Sequence, residues 1–137
     1  MEVVLAEHAG FCFGVKRAVK LANDAAEAGN GNVQSLGPLI HNPQVVNQLA
    51  EKSVRRVDSL DEIESGVVIF RSHGVSSPQV MDEALERGLA VIDATCPVVT
   101  NAQRYAKQRV DEGYKEVVVG DRWHPEIKGV MSGSVLF

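Results

Sequence analysis

The sequence contains no long run of apolar or basic residues. No apolar stretch approaches the roughly 20 residues that a membrane-spanning helix needs, and no Lys/Arg run offers the basic surface of a nucleic-acid-binding protein. The net charge is −4. These absences predict that the protein has neither a nucleic-acid partner nor a membrane partner. An acidic substrate would have to be bound by local cations or by histidines.

Targeting signals and nucleotide-binding motifs are also missing. The segment from Met1 to Glu7 has no basic leader, no apolar core of secretory length and no small-residue cleavage site, which predicts a cytoplasmic location. No G-x-G-x-x-G, Walker loop or nucleophile elbow occurs, so nothing favours a nucleotide cofactor. The 137 residues, 45% of them hydrophobic, are enough to bury a core.

Cysteine is scarce, with two residues in the whole chain. A structural disulfide is not expected in the cytoplasm, and the C-x-x-C spacing of zinc ribbons and thioredoxin-like sites is missing. Cys12 and Cys96 are therefore predicted to be free thiols, metal ligands or redox groups.

Apolar stretches alternate with helical patterns along the chain. Val67–Phe70 is the clearest strand, because an unbroken apolar run is typical of a sheet covered on both faces. The order of strand, glycine turn and helix predicts the α/β class, with a parallel sheet and crossover helices. The pattern restarts near Pro97, which predicts a first domain over 1–97 and an incomplete second domain over 98–137. The predicted strands are 3–6, Val33–Leu36, Val67–Phe70, 90–92 and 116–120, and the predicted helices are 15–28, Pro43–Glu51, 76–86 and a segment around 99–110.

Cysteine and histidine residues occur in turns at which predicted strands give way to the next segment. Each turn contains glycine or proline. In open α/β proteins, ligands bind at the carboxyl ends of the strands, so these side chains are expected to meet in one pocket for a metal and an anion. The five segments are Gly10-Phe11-Cys12-Phe13-Gly14, Ile40-His41-Asn42-Pro43, Arg71-Ser72-His73-Gly74, Asp93-Ala94-Thr95-Cys96-Pro97 and Trp123-His124-Pro125-Glu126.

The surroundings of the two cysteines favour metal binding. Thiolates bind soft metals and iron–sulfur clusters, and the glycines on either side of Cys12 allow backbone amides to approach a bulky cofactor. A position at the start of a helix also favours the thiolate form. Cys96 occupies the equivalent turn after a later strand. The alternative is that each residue is an inert, buried cysteine.

Three histidines and one glutamate are candidates for binding and proton transfer. An imidazole is readily protonated near neutral pH, so an anion near His41, His73 and His124 would convert them into cationic donors. The alternative is that they are ordinary loop histidines, which is the interpretation given to His8. Glu126 could share a ligand with His124, but as a proton donor it needs burial or an adjacent anion to raise its pKa. Alternatively, it interacts with the dipole of its own helix.

Together, and in this order, the five segments resemble the signatures of the 4-hydroxy-3-methylbut-2-enyl diphosphate reductase family of the non-mevalonate isoprenoid pathway. The resemblance covers nearly the whole chain. It implies a [4Fe-4S] enzyme that removes the hydroxyl of an allylic diphosphate to give isopentenyl and dimethylallyl diphosphates. The two electrons would come from an external donor of the ferredoxin or flavodoxin type, together with two protons. It also implies a three-domain, trefoil-like architecture, of which this chain would form the first domain and the start of the second.

The same resemblance assigns roles to individual residues. Cys12 and Cys96 would ligate the cluster. Three histidines would line the diphosphate pocket, namely His41, His73 and His124. Glu126 would take part in the proton relay to the departing hydroxyl.

The third cysteine of the family is missing, because its place would lie beyond Phe137. Two thiolates leave a cluster half supported, so the resemblance implies that activity needs a complementary chain that carries the missing cysteine. One alternative is a dimer in which two copies provide two cysteines each, forming a self-standing electron-transfer or binding module. Another is a zinc site made of Cys12, Cys96 and one histidine.

Overall fold

The computed structural model describes residues 1–28, 32–74, 78–121 and 123–131. Helices and strands alternate through most of these ranges. The helices are α1 (Phe13–Glu27), α2 (Pro43–Glu51), α3 (Pro78–Glu86), α4 (Pro97–Asp111) and α5 (Pro125–Met131), and the strands are β1 (Val33–Leu36), β2 (Val54–Val57), β3 (Val67–Phe70) and β4 (Ala90–Asp93), with a short 3-10 helix at Leu60–Glu62.

The four strands form one parallel sheet in the order β2-β1-β3-β4. Leu36 of β1 is in register with Phe70 of β3, and Phe70 is in register with Asp93 of β4. Since parallel strands in register end at the same edge, the loops that follow β1, β3 and β4 leave the sheet side by side. The α/β class with a parallel sheet and crossover helices is confirmed.

Each face of the sheet carries its own apolar core. Ile69 points to the face covered by α1 and α2, where the small side chains of Ala18 and Ala22 let α1 approach the strands closely. Val68 and Phe70 point to the face covered by α3 and the 3-10 helix. All five side chains are fully buried. This two-sided burial explains why β3 is an unbroken apolar run.

Two predicted strands are wrong. Residues 3–6 and 116–120 lack strand structure, and residues 1–10 are exposed throughout. Val3, Val4 and Leu5 are each more than 80% exposed. Their β-prone composition is not sufficient, because a strand also needs a neighbour for its N–H and C=O groups. The sheet of the described ranges provides none for either segment.

One strand was not predicted from the sequence, and some helix ends differ from the prediction. Strand β2 carries Arg55 and Arg56 at its centre, and both are exposed because β2 lies at an edge of the sheet. Helix α1 begins at Phe13, two residues earlier than predicted. Helix α3 is described from Pro78, and the predicted start at 76 lies outside the described residues.

No helix in the described part of the chain is long and apolar enough to cross a membrane. The division into 1–97 and 98–137 stays a prediction.

We expect Ile69→Ala to destabilise the chain strongly, because it removes a fully buried side chain from the centre of the sheet. The free energy of unfolding should fall by about 2 to 5 kcal/mol, measured by urea denaturation. Leu85→Ala on α3 is the matched control, since Leu85 is 56% exposed and its loss should change that free energy by about 0.5 kcal/mol or less. Equal losses for the two variants would contradict the described core.

Candidate functional site

The candidate site lies at the carboxyl edge of the sheet. Ser72, which follows β3, is buried and donates from both its backbone N and its Oγ to the carbonyl of Leu39, which follows β1. The backbone N of Cys96, which follows β4, donates to the carbonyl of Ser72 at 2.9 Å. Hydrogen bonds therefore tie together the three loops that carry His41, His73 and Cys96.

The three candidate histidines converge, as predicted. The ring centroids of His41 and His73 are 4.2 Å apart, and the ring of His124 lies 5.9 and 6.0 Å from the two. Asn42 holds His41 in place by capping α2, since its side chain accepts from the N–H of Val45 at 3.1 Å. Residues more than 80 positions apart in sequence thus present three imidazoles to one small region.

The environment of His73 favours its neutral form. Burial lowers its pKa from the ordinary value, and the neighbouring His41 and His124 lower it further, while Glu126 opposes the shift. Ser72 Oγ lies 3.4 Å from His73 Nδ1 and gives its hydrogen to Leu39. We infer that Nδ1 carries the proton and that Nε2 of neutral His73 is an acceptor.

His124 has the opposite tautomer. Its Nδ1 accepts from the backbone N–H of Glu126 at 3.3 Å, so the proton of the neutral ring is on Nε2. The same bond caps the start of α5, where Glu126 occupies the first turn and is half-buried. Because the carboxylate of Glu126 acts on the pKa of His73, Glu126 belongs to the histidine region. His8 lies in the exposed N-terminal segment.

The two cysteines begin two long helices. Cys12 is the N-cap of α1 and Cys96 is the N-cap of α4, and both are free thiols. Neither helix start has a side-chain cap. Gly14 lies directly against Cys96, since a Cβ on Gly14 would come within 2.6 Å of the Cys96 Sγ. Only glycine therefore allows this approach of α1 to Cys96.

The donor set fits a partly held iron–sulfur cluster. Thiolate sulfur is the ligand that such clusters use, and the uncapped first turns of α1 and α4 offer backbone N–H groups to anionic sulfur. Within the described ranges, no three His, Cys, Asp or Glu residues form a group that could hold a metal ion. The zinc site of both cysteines and a histidine is therefore not assembled there.

Arg17 was part of a predicted motif but received no role from the sequence. Its guanidinium donates to the carbonyls of Thr95 and Asp93, just before Cys96. The sequence around Arg17 could not indicate this contact, because the two partner residues lie 76 and 78 positions further along the chain.

Cys12 and His41 are exposed, and the other candidate side chains are half-buried. Cavities of about 420 Å³ and about 720 Å³ lie nearby, the first lined by Arg71 and Arg56 and the second by Asp93 and Thr95. The cysteines and histidines line neither cavity. The candidate residues are thus accessible to a ligand from outside.

The chain is similar in sequence to a family model and to two curated proteins. A protein-family model described as LytB protein matches residues 3–135. The 4-hydroxy-3-methylbut-2-enyl diphosphate reductase of Geobacter metallireducens is 51% identical over 132 residues, which are 96% of this chain and 46% of that protein. The protein of the same name from Syntrophotalea carbinolica is 48% identical, over 96% of this chain and 47% of that protein.

Two solved structures have the same fold. One, an (E)-4-hydroxy-3-methyl-but-2-enyl diphosphate reductase described as the terminal enzyme of the non-mevalonate pathway, has a TM-score of 0.82 and 46% identity, over 95% of this chain and 46% of that one. The other, an E-1-hydroxy-2-methyl-but-2-enyl-4-diphosphate reductase from Plasmodium falciparum, has a TM-score of 0.89 and 25% identity, over 96% and 42%. The chain spans about half the length of the relatives it matches.

We expect His73 to titrate below the ordinary range of histidine, and His41→Gln to raise the pKa of His73 again, because a protonated His41 repels a second proton on its neighbour. NMR titration of the imidazole resonances measures both effects. His8→Gln is the matched control and should leave the pKa of His73 unchanged. A His73 pKa that responds equally to both substitutions would refute the described cluster.

Proposed function

Since the chain belongs to the LytB protein family, we propose that it acts in the reductive dehydroxylation of 4-hydroxy-3-methylbut-2-enyl diphosphate to isopentenyl and dimethylallyl diphosphates. The observation that supports this most strongly is the meeting of His41, His73 and His124 within 6.0 Å of one another. The three rings lie at the same edge of the sheet as Cys96. The proposed reaction takes place in the cytoplasm.

The three histidines bind the diphosphate of the substrate in this proposal. His124 already has a donor hydrogen on Nε2 when neutral, whereas His73 has to take up a proton before its Nε2 can donate. A diphosphate supplies the negative charge that makes several neighbouring imidazolium ions tolerable. Substrate binding is therefore coupled to proton uptake at His73.

Glu126 is the proposed proton donor to the departing hydroxyl. Two protons and two electrons are needed, since the C–O bond breaks, the hydroxyl leaves as water and a hydrogen is added to the allyl carbon skeleton. Glu126 lies two residues after His124 and half-buried in the first turn of α5. A bound diphosphate beside it would disfavour its carboxylate and so keep the proton on the carboxyl oxygen.

Cys12 and Cys96 are the proposed ligands of a [4Fe-4S] cluster. When bound, such a cluster supplies the two electrons, which an external donor of the ferredoxin or flavodoxin type provides. The first turns of α1 and α4 start directly after the cysteines and have no side-chain cap, so they leave backbone N–H groups available to anionic sulfur. The other cluster ligands come from outside the described residues, in a three-domain enzyme to which this chain contributes the first domain and part of the second.

We expect inorganic pyrophosphate to bind the chain more tightly as the pH falls, because protonation of the histidines turns them into cations. The Kd should decrease about fivefold between about pH 8 and about pH 6.5, measured by isothermal titration calorimetry. His124→Gln should weaken binding and reduce the pH dependence, while His8→Gln should change neither. A Kd that is independent of pH would exclude the histidines as the anion site.

A chimeric enzyme tests the reaction itself. In the Geobacter metallireducens reductase, the segment that matches this chain is replaced by the chain, and turnover of 4-hydroxy-3-methylbut-2-enyl diphosphate is measured anaerobically with a chemical reductant. We expect activity, and we expect Glu126→Gln to lower kcat about 100-fold with little change in KM, since a general acid contributes on that order. Glu51→Gln, an exposed position on α2, is the control. A folded, cluster-loaded but inactive chimera would argue against the proposal.

A further inference from the structure

Arg17 connects the helix after one cysteine to the loop before the other. It lies in the second turn of α1, five residues after Cys12, and is half-buried. Its Nη1 donates to the carbonyl of Thr95 at 3.1 Å, and its Nη2 donates to the carbonyl of Asp93 at 3.2 Å. These residues close β4 and lead directly into Cys96.

The geometry of the edge strand explains why these carbonyls need a donor. Ala94 and Cys96 donate their N–H groups to the β3 side, to the carbonyls of Phe70 and Ser72. The backbone groups of alternate residues in an extended chain face opposite sides, so the carbonyls of Asp93 and Thr95 face away from β3. Strand β4 lies at an edge of the described sheet, and there the planar guanidinium satisfies both carbonyls at once.

A second contact from α1 fixes the same loop. Gly14, one turn before Arg17, lies against the Cys96 thiol so closely that a Cβ would come within 2.6 Å of Sγ. The loop of Cys96 is thus held by α1 at its carbonyls and at its sulfur. Because α1 starts immediately after Cys12, the place of Cys96 is set relative to Cys12.

The hydrogen bonds of Arg17 serve the backbone rather than a carboxylate. None of the ion pairs among the described residues includes Arg17. The Asp93 side chain accepts from the N–H and the hydroxyl of Thr95, within its own loop. A lysine at position 17 would keep the charge, but it has no planar fork to span the two carbonyls.

We propose that Arg17 is a positioning residue for the two thiols, acting through Cys96 by holding the Asp93 and Thr95 carbonyls against α1. The use of the thiols for a cluster rests on the proposed function, whereas their positioning does not. Arg17 does not contact the substrate in this proposal.

The first test uses the chain without any cluster. The alkylation rate of each cysteine by iodoacetamide is measured by mass spectrometry of the two cysteine peptides. In Arg17→Met we expect Cys96 to react about tenfold faster while Cys12 changes little, because the loss of the carbonyl contacts frees the loop locally. Arg17→Lys should lie between wild type and Arg17→Met. Lys16→Gln, an exposed neighbour on the same helix, removes one charge as a control and should leave both rates unchanged.

A difference between the alkylation rates of Cys12 and Cys96 distinguishes a positioning role from a general effect on stability. Urea denaturation is measured for every variant, and Arg17→Lys replaces Arg17→Met if the latter does not fold. Equal acceleration of Cys12 and Cys96, or no acceleration of Cys96, would overturn the proposal.

A second test follows the cluster in the chimeric reductase defined above. After anaerobic reconstitution, iron and sulfide are quantified and the reduced cluster is examined by electron paramagnetic resonance. We expect Arg17→Met to shorten cluster retention about tenfold, as is typical when a residue that orients a ligand is lost, and to alter the resonance signal, with Lys16→Gln as wild type. Unchanged retention and an unchanged signal would overturn the proposal. Suppose the wild-type chimera takes up no iron, while Arg17→Met still accelerates alkylation of Cys96 but not of Cys12. This result would refute cluster binding but support the role of Arg17 in positioning.

Discussion

The candidate site depends on the register of the parallel strands. Leu36, Phe70 and Asp93 are aligned across β1, β3 and β4, so the following loops begin at the same level and can bond to one another. A shift by one residue would turn Ile69 and Phe70 to the wrong faces of the sheet. The buried apolar core therefore determines where the loops that carry His41, His73 and Cys96 lie side by side.

Three of the four strands in the described sheet, β1, β3 and β4, were predicted from the sequence. The unbroken apolar run of β3 lies inside the sheet, and glycine and proline mark the turns that follow β1, β3 and β4. Residues 3–6 and 116–120 have equally suitable compositions but lack strand partners among the described residues, which composition cannot reveal. Strand β2 escaped prediction for the opposite reason, because its two central arginines face solvent at a sheet edge.

The meeting of the three histidines was predicted from residue types and loops, but their proton positions were not. Glycine and proline around His41, His73 and His124 indicated ligand-binding turns, and the rings do meet. The tautomers inferred for His73 and His124 depend on single contacts, with the Oγ of Ser72 and with the backbone N–H of Glu126. The geometry of these contacts is not a property of sequence spacing. The contact of Arg17 with the Cys96 loop arises in the same way, from tertiary packing.

The proposed diphosphate site has to attract an anion to an acidic chain. A net charge of −4 gives no general attraction for a diphosphate, so the attraction has to come from groups gathered at one edge. Three imidazoles and the uncapped starts of α1 and α4 lie at that edge. Since burial and its neighbours lower the pKa of His73, the proposed negative ligand would favour the protonated form of His73. In the proposed site, anion binding and protonation of His73 would therefore reinforce each other.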